Sequence, residues 1–149
     1  MQFQKNIPLK KHTTFKIGGP AEYFFTAKNK SDLLKAVKRA KEHRLPFFIL
    51  GKGSNLLVSD KGYRGLMINA RCQKTSVKKN TVYAEAGLPL GQLASLALKN
   101  SLAGAEWVAG IPGTVGGAIF GNAGAFGKSM QDIIESVEVF DTKSDSVKK

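Results

Sequence analysis

Phe47-Phe48-Ile49-Leu50 runs without a break into Gly51-Lys52-Gly53-Ser54-Asn55. A short unbroken apolar run is the mark of a strand buried on both sides. In open α/β sheets, ligands gather at the carboxyl ends of such strands. Glycines at alternate positions allow positive φ and remove the Cβ atoms that would hold a ligand away. Successive backbone N–H groups can then converge on an anion, and Ser54 and Asn55 add side-chain donors. Taken alone, the plainer reading is a tight turn between two elements.

The segments before this loop fix its setting. Glu22–Ala27 reads as an aromatic-rich strand. Ser31 can cap a helix beginning at Asp32, with Leu33, Leu34, Val37 and Ala40 on one face and lysines and Arg39 on the other. Pro46 ends that helix. Strand, helix and strand make a unit whose crossover implies a parallel pair. Leu56-Leu57-Val58 and Gly65-Leu66-Met67-Ile68 read as further strands, with Asp60-Lys61-Gly62 as the turn between them.

A polar, basic stretch at Asn69–Asn80 separates two lobes. Beyond it, Val82–Ala86 resumes as a strand. Pro89 suits a first helical turn, and Leu90, Leu93, Ala94, Leu96, Ala97 and Leu98 predict a mostly buried helix. Ser136–Asp141 alternates as a strand. Thr142–Asp145 reads as a hairpin turn, and Ser146–Lys149 as the start of a returning strand. A hairpin left half-built is expected of an incomplete sequence.

Half of the 16 glycines lie between Gly104 and Gly127. They build a second loop, Gly110-Ile111-Pro112-Gly113-Thr114-Val115-Gly116-Gly117-Ala118, continuing through Asn122-Ala123-Gly124-Ala125-Phe126-Gly127. A helix starting near Thr114 or Val115 would aim free N–H groups at a ligand. The bland alternative is a close-packed loop between a helix and a sheet. Two such loops together favour a large phosphate-containing cofactor. Neither is a Walker motif, since no Gly-Lys-Ser/Thr closes it, and neither has the dinucleotide Gly-x-Gly-x-x-Gly spacing.

Composition excludes little. The net charge of +12 suits a polyanionic ligand as well as nucleic acid. No recognition-helix, RNP or zinc-ligand pattern accompanies it, so neither nucleic acid nor metal is expected. No apolar run approaches the roughly 18 residues of a membrane span. Met1–Asn6 lacks the apolar core of a secretory leader, and Cys72 is the only cysteine, which fits a cytoplasmic location. His12 and His43 form no constellation. Cys72, beside Arg71, is a candidate for a lowered pKa. Trp107 and Phe126 are candidates to pack near a cofactor, with core packing the plainer role for Trp107.

Ile49–Asp60 resembles the first flavin loop of the UDP-N-acetylenolpyruvoylglucosamine reductase family, also called UDP-N-acetylmuramate dehydrogenases. Gly110–Ala118 with Asn122–Gly127 is similar to the second loop, in the wording of the shorter subtype. His12-Thr13-Thr14-Phe15-Lys16-Ile17-Gly18-Gly19-Pro20-Ala21 resembles the segment that leads into the family's fold.

The resemblance implies an α+β fold: the two-lobed FAD-binding domain of the vanillyl-alcohol-oxidase or PCMH type. A small βαβ lobe over residues 1–70 would precede a second lobe with a mainly antiparallel sheet over 71–149, apparently truncated, with the substrate domain absent. It implies FAD held by Leu50, Gly51, Lys52, Gly53, Ser54, Asn55, Leu56, Gly110, Ile111, Pro112, Gly113, Gly116, Gly117, Ala118, Asn122, Ala123 and Gly124. NADPH would be the hydride donor, and UDP-N-acetylglucosamine enolpyruvate the substrate, giving UDP-N-acetylmuramate for peptidoglycan. The family's catalytic residues are an arginine in Phe-Gly-Tyr-Arg, a proton-donating serine and a late glutamate. None has a counterpart here, so this portion alone is expected to be inactive. The alternatives are the FAD domain of another oxidase or dehydrogenase of this fold, and a non-catalytic basic nucleotide- or nucleic-acid-binding module. Oligomeric state leaves no mark in the sequence.

Overall fold

A computed structural model describes residues 1–149. Its first sheet has four strands: β1 (Gln4–Pro8), β2 (Pro20–Ala27), β3 (Phe47–Leu50) and β4 (Tyr63–Ala70). The order is β1-β2-β4-β3, with β2, β4 and β3 parallel and β1 antiparallel at one edge. Helix α1 (Lys30–Glu42) crosses from β2 to β3. The two strands it joins are parallel, as the sequence predicts, but β4 inserts between them.

That insertion makes β3 an edge strand. Phe48 and Ile49 are each 42% exposed, so the apolar run is not buried on both sides. The doubly buried strand is β4, whose Gly65–Ala70 stretch is wholly buried. Leu56-Leu57-Val58 forms no strand. Only Val58 of the three is buried, and Leu57 points to solvent.

The cap of α1 also differs from expectation. Asn29, not Ser31, accepts the Asp32 N–H at 2.8 Å. Asp32 returns the contact, accepting from the Asn29 amide and the Lys28 N–H. An Asn one turn before the apolar stripe satisfies an orphan donor, as N-caps do. Ala36, Val37 and Ala40 bury the helix against Ala27, Leu66 and Ile68.

The opposite face of the sheet carries its own cluster: Leu9, Ala21, Phe24, Leu50, Val58 and Met67. Alternation along β4 divides the two cores, with Leu66 and Ile68 on the α1 side and Met67 on the other.

A third core gathers around Leu88, Leu90, Leu93, Trp107, Val108, Val115, Ala118 and Met130. It is built from α2 (Leu90–Lys99), α3 (Val115–Phe120) and the turns before, between and after them, beside the antiparallel pair β5 (Thr75–Lys78) and β6 (Thr81–Ala84). Pro89 is the cap residue of α2 rather than part of its first turn. Only one stripe of α2 is buried, and Leu98 is 80% exposed. Two more antiparallel pairs follow: β7 (Gly124–Ala125) with β8 (Lys128–Ser129), and β9 (Val139–Asp141) with β10 (Ser146–Lys148).

The expected final hairpin is present, and it lies back on α1. Glu138 pairs with Lys30, Asp145 with Lys41, and the Lys38 ammonium sits over the Phe140 ring. The architecture is α+β, with a mainly parallel sheet first and antiparallel pairs after it.

Candidate cofactor site

The carboxyl end of β3 opens into residues 51–58, and what marks them is their hydrogen bonding. Backbone N–H groups in a folded chain nearly all find partners. The N–H groups of Gly51 through Val58, eight in succession, donate to no atom of the chain. The Ser54 hydroxyl and the Asn55 amide likewise bond to nothing in it. Gly53 has φ +67°. The loop is therefore a run of free donors, and its chemistry is acceptor-seeking.

Close backbone approach holds the loop in shape. A Cβ on Gly53 would overlap the carbonyl oxygen of His12 and lie 3.0 Å from Thr13 Cα. The Gly53 carbonyl accepts the Thr14 N–H at 3.0 Å. The glycine that looks made for a ligand is thus needed first to seat the leading segment. His12 continues that packing, with its ring 4.5 Å from that of Phe24, centroid to centroid. Partial burial, then the positive charges of Arg71 and Lys11, hold its pKa below the ordinary histidine value. The neutral imidazole is favoured there.

The second loop meets the first. A Cβ on Gly51 would lie 2.6 Å from Thr114 Oγ1, and one on Gly113 would lie 3.7 Å from Ser54 Oγ. Thr114 is buried and caps α3, its hydroxyl accepting the Gly117 N–H at 3.4 Å. The N–H groups of Gly113 and Thr114 bond to nothing in the chain, which extends the free-donor run across both loops.

The start of α3 departs from expectation. Val115 donates to the Leu88 carbonyl, Gly116 to that of Ala86, and Gly117 to Thr114 Oγ1. No free N–H is left there to aim at a ligand. Gly116 is glycine because Ala86 is in the way, its Cβ 2.7 Å from where a Gly116 Cβ would stand.

The other sequence-predicted positions spread between site and scaffold. Leu50 is buried in the sheet core and Leu56 packs against it. Lys52 is exposed beside the donors. Gly110 and Pro112 are exposed, while Ile111, Ala118 and Ala123 belong to the third core. Asn122, at φ +43°, accepts the Gln131 N–H at 3.0 Å and so fixes the next turn. Gly124 packs on the Lys128 carbonyl across the β7–β8 hairpin. Phe126 stands at that hairpin's tip, 94% exposed at φ +54°. Trp107 is core, its indole N–H held by the Gly104 carbonyl at 3.1 Å. Cys72 is buried, and burial raises its thiol pKa, against the expectation drawn from Arg71.

The family described as "FAD binding domain" matches residues 21–148. The chain belongs to that FAD-binding domain family. Among curated proteins, this FAD-binding domain is 45% identical over 137 residues to the UDP-N-acetylenolpyruvoylglucosamine reductase of Caldanaerobacter subterraneus subsp. tengcongensis. That match covers 91% of the chain and 45% of the relative. The protein of that name from Clostridium novyi is 40% identical over 148 residues, covering 99% of the chain and 48% of the relative. Among solved structures, the UDP-N-acetylenolpyruvylglucosamine reductase (MurB) from Thermus caldophilus aligns with a TM-score of 0.82 at 36% identity, over 99% of the chain and 52% of that structure. The FAD-binding domain spans about half the length of the curated relatives it matches.

The donor set fits FAD. Its pyrophosphate offers only acceptors, and residues 51–58 with 113–114 offer a concentrated set of unspent donors.

Proposed function

We propose that the chain is the cofactor-holding half of a reductase acting on UDP-N-acetylenolpyruvoylglucosamine, with the FAD pyrophosphate seated on the amides of Gly51–Asn55. The run of unpaired N–H groups at residues 51–58 carries this reading. Gly113 and Thr114 close the cradle from the second loop, with Ser54 and Asn55 as side-chain donors. Gly110, Ile111, Pro112, Gly117, Asn122 and Ala123 would line the cofactor's flanks. Leu50, Leu56, Gly116, Ala118 and Gly124 would serve it by holding the two loops in place.

Bound flavin would supply hydride transfer, from NADPH to the enolpyruvyl double bond of the UDP-sugar. This chain's own residues would bind and orient it, and the exposed Lys52 within the loop would offset the pyrophosphate charge. No residue here matches the family's catalytic arginine, serine or glutamate, so reduction of the UDP-sugar needs groups outside these 149 residues. A cytoplasmic site of action fits a nucleotide-sugar substrate and NADPH. No helix is long and apolar enough to cross a membrane.

The test is calorimetric titration of the 149-residue chain with FAD, and of the same chain carrying Gly53→Val. Wild-type binding with at least tenfold weakening in the variant supports the reading. An FAD affinity indifferent to Gly53→Val would refute it. Binding of DNA with steep salt dependence, uncompeted by FAD, would favour a basic nucleic-acid module instead.

A further inference from the structure

Asn69 Oδ1 is the one buried side-chain polar atom of this chain with no hydrogen-bond partner. The residue is 3% exposed and interrupts Gly65–Ala70, which is otherwise apolar and buried. A leucine there would avoid the cost of an unsatisfied acceptor. Such an atom in a folded protein calls for an explanation, and a bound ligand is one.

Its position supplies one. Asn69 stands in register between Thr26 of β2 and Leu50 of β3. Alternation puts it on the face of Met67, with Phe24, Leu50 and Val58, and away from α1. Leu50 leads directly into Gly51, and the loop returns over the same face to bury Val58. The His12 ring rests on Phe24 there. An orphan acceptor therefore lies at the root of a loop whose eight N–H donors are also unpaired.

We propose that Asn69 is a ligand-binding residue, its Oδ1 accepting a hydrogen bond from a hydroxyl that adjoins the pyrophosphate. This rests on the FAD reading above. The pyrophosphate takes donors only, so it is served by the loop amides. FAD carries hydroxyls on both sides of it, on the ribityl chain and on the adenosine ribose. A neutral carboxamide accepts from a hydroxyl without repelling the neighbouring anion, which a carboxylate in that place would do.

The experiment uses the 149-residue chain as wild type, Asn69→Leu, Asn69→Ala and Asn69→Asp. Each is titrated calorimetrically with FAD, FMN and ADP, and its unliganded melting temperature is recorded. Asn69→Leu removes the unsatisfied acceptor, so its unliganded melting temperature should match or exceed the wild type's. Its FAD affinity should fall at least fivefold, and that of Asn69→Asp further. A loss for FMN but not ADP identifies the ribityl hydroxyls, and the reverse identifies the ribose. Asn69→Ala, smaller than the native residue, reads the same contrast if leucine is too bulky to fold. Wild-type FAD affinity retained in Asn69→Leu or Asn69→Ala overturns the inference alone. A wild-type chain that binds none of the three ligands overturns the FAD reading beneath it.

Discussion

Gly51 is packed so closely on Thr114 that a Cβ would lie 2.6 Å from the threonine hydroxyl. The first glycine of one loop therefore touches the cap of the helix that begins within the other. Gly51→Ala should destabilise the chain by about 1–3 kcal/mol, the usual cost of overpacking. Thr114→Ala removes the obstructing oxygen but also the α3 cap, at about 1 kcal/mol. The double variant should then cost less than the two single changes added. Chemical denaturation of all four proteins reads this coupling. Strict additivity would mean that the two loops do not bear on each other.

Gly53 is constrained twice, by φ +67° and by the His12 carbonyl against it. Gly53→Val should lower FAD affinity at least tenfold, about 1.4 kcal/mol. It should also lower the unliganded melting temperature, because the segment from His12 to Thr14 is displaced. Gly117→Ala is the contrast. A Cβ there meets only Thr114 Oγ1, at 3.4 Å. Its melting temperature should stay near the wild type's. Differential scanning fluorimetry distinguishes the pair.

His12 ties stability to pH. Its folded pKa lies below the ordinary value of 6.5, through burial first and then Arg71 and Lys11. The unfolded chain then binds more protons than the folded one as pH falls through 6.5. Its contribution is present above pH 6.5 and is lost progressively as the pH drops toward the folded pKa. The melting temperature between pH 7.5 and 5 should therefore decline less steeply in His12→Gln than in the wild type.

The β9–β10 hairpin is held to α1 by Phe140 packing and by two exposed ion pairs, Glu138 with Lys30 and Asp145 with Lys41. Exposed pairs contribute little, on the order of 0–1 kcal/mol. Phe140→Ala should therefore loosen the hairpin more than Glu138→Gln does. Limited proteolysis should cut near Thr142–Asp145 sooner in the former, at an ionic strength where the pairs are screened.

What the sequence made legible follows from what periodicity can encode. The apolar stripe of α1, the α2 helix, and the hairpin turn at Thr142–Asp145 were all readable locally. Periodicity reports faces, not neighbours. Hence Phe47–Leu50 was legible as a strand, while its place at the sheet edge was not, because β4 enters from later in the chain. Leu56-Leu57-Val58 has the composition of a strand, but it pairs with no strand of the sheet.

Within the site, the first loop was visible in its glycines. Their reasons were only partly visible: Gly51 and Gly53 are hemmed in by Thr114 and His12, residues far from them in the chain or outside the motif. The second loop's α3 amides looked free because nothing local marks Ala86 and Leu88 as their acceptors. Asn69 left one faint signal, a carboxamide ending an apolar run, and the polar stretch after it drew it into the apparent boundary between lobes.

The proposed cradle puts the amides of Gly51–Asn55, with those of Gly113 and Thr114, on the pyrophosphate. An amide-resolved NMR titration of the isotopically labelled 149-residue chain with FAD tests it most directly. Before addition, these amides should exchange rapidly with water, since they hold no partner in the chain. On saturation, the amides of Gly51–Asn55, Gly113 and Thr114 should show the largest shifts and gain protection from exchange. FAD binding that leaves those amides unshifted and still exchanging, with the changes falling on the lysine-rich face of α1 instead, would contradict the account.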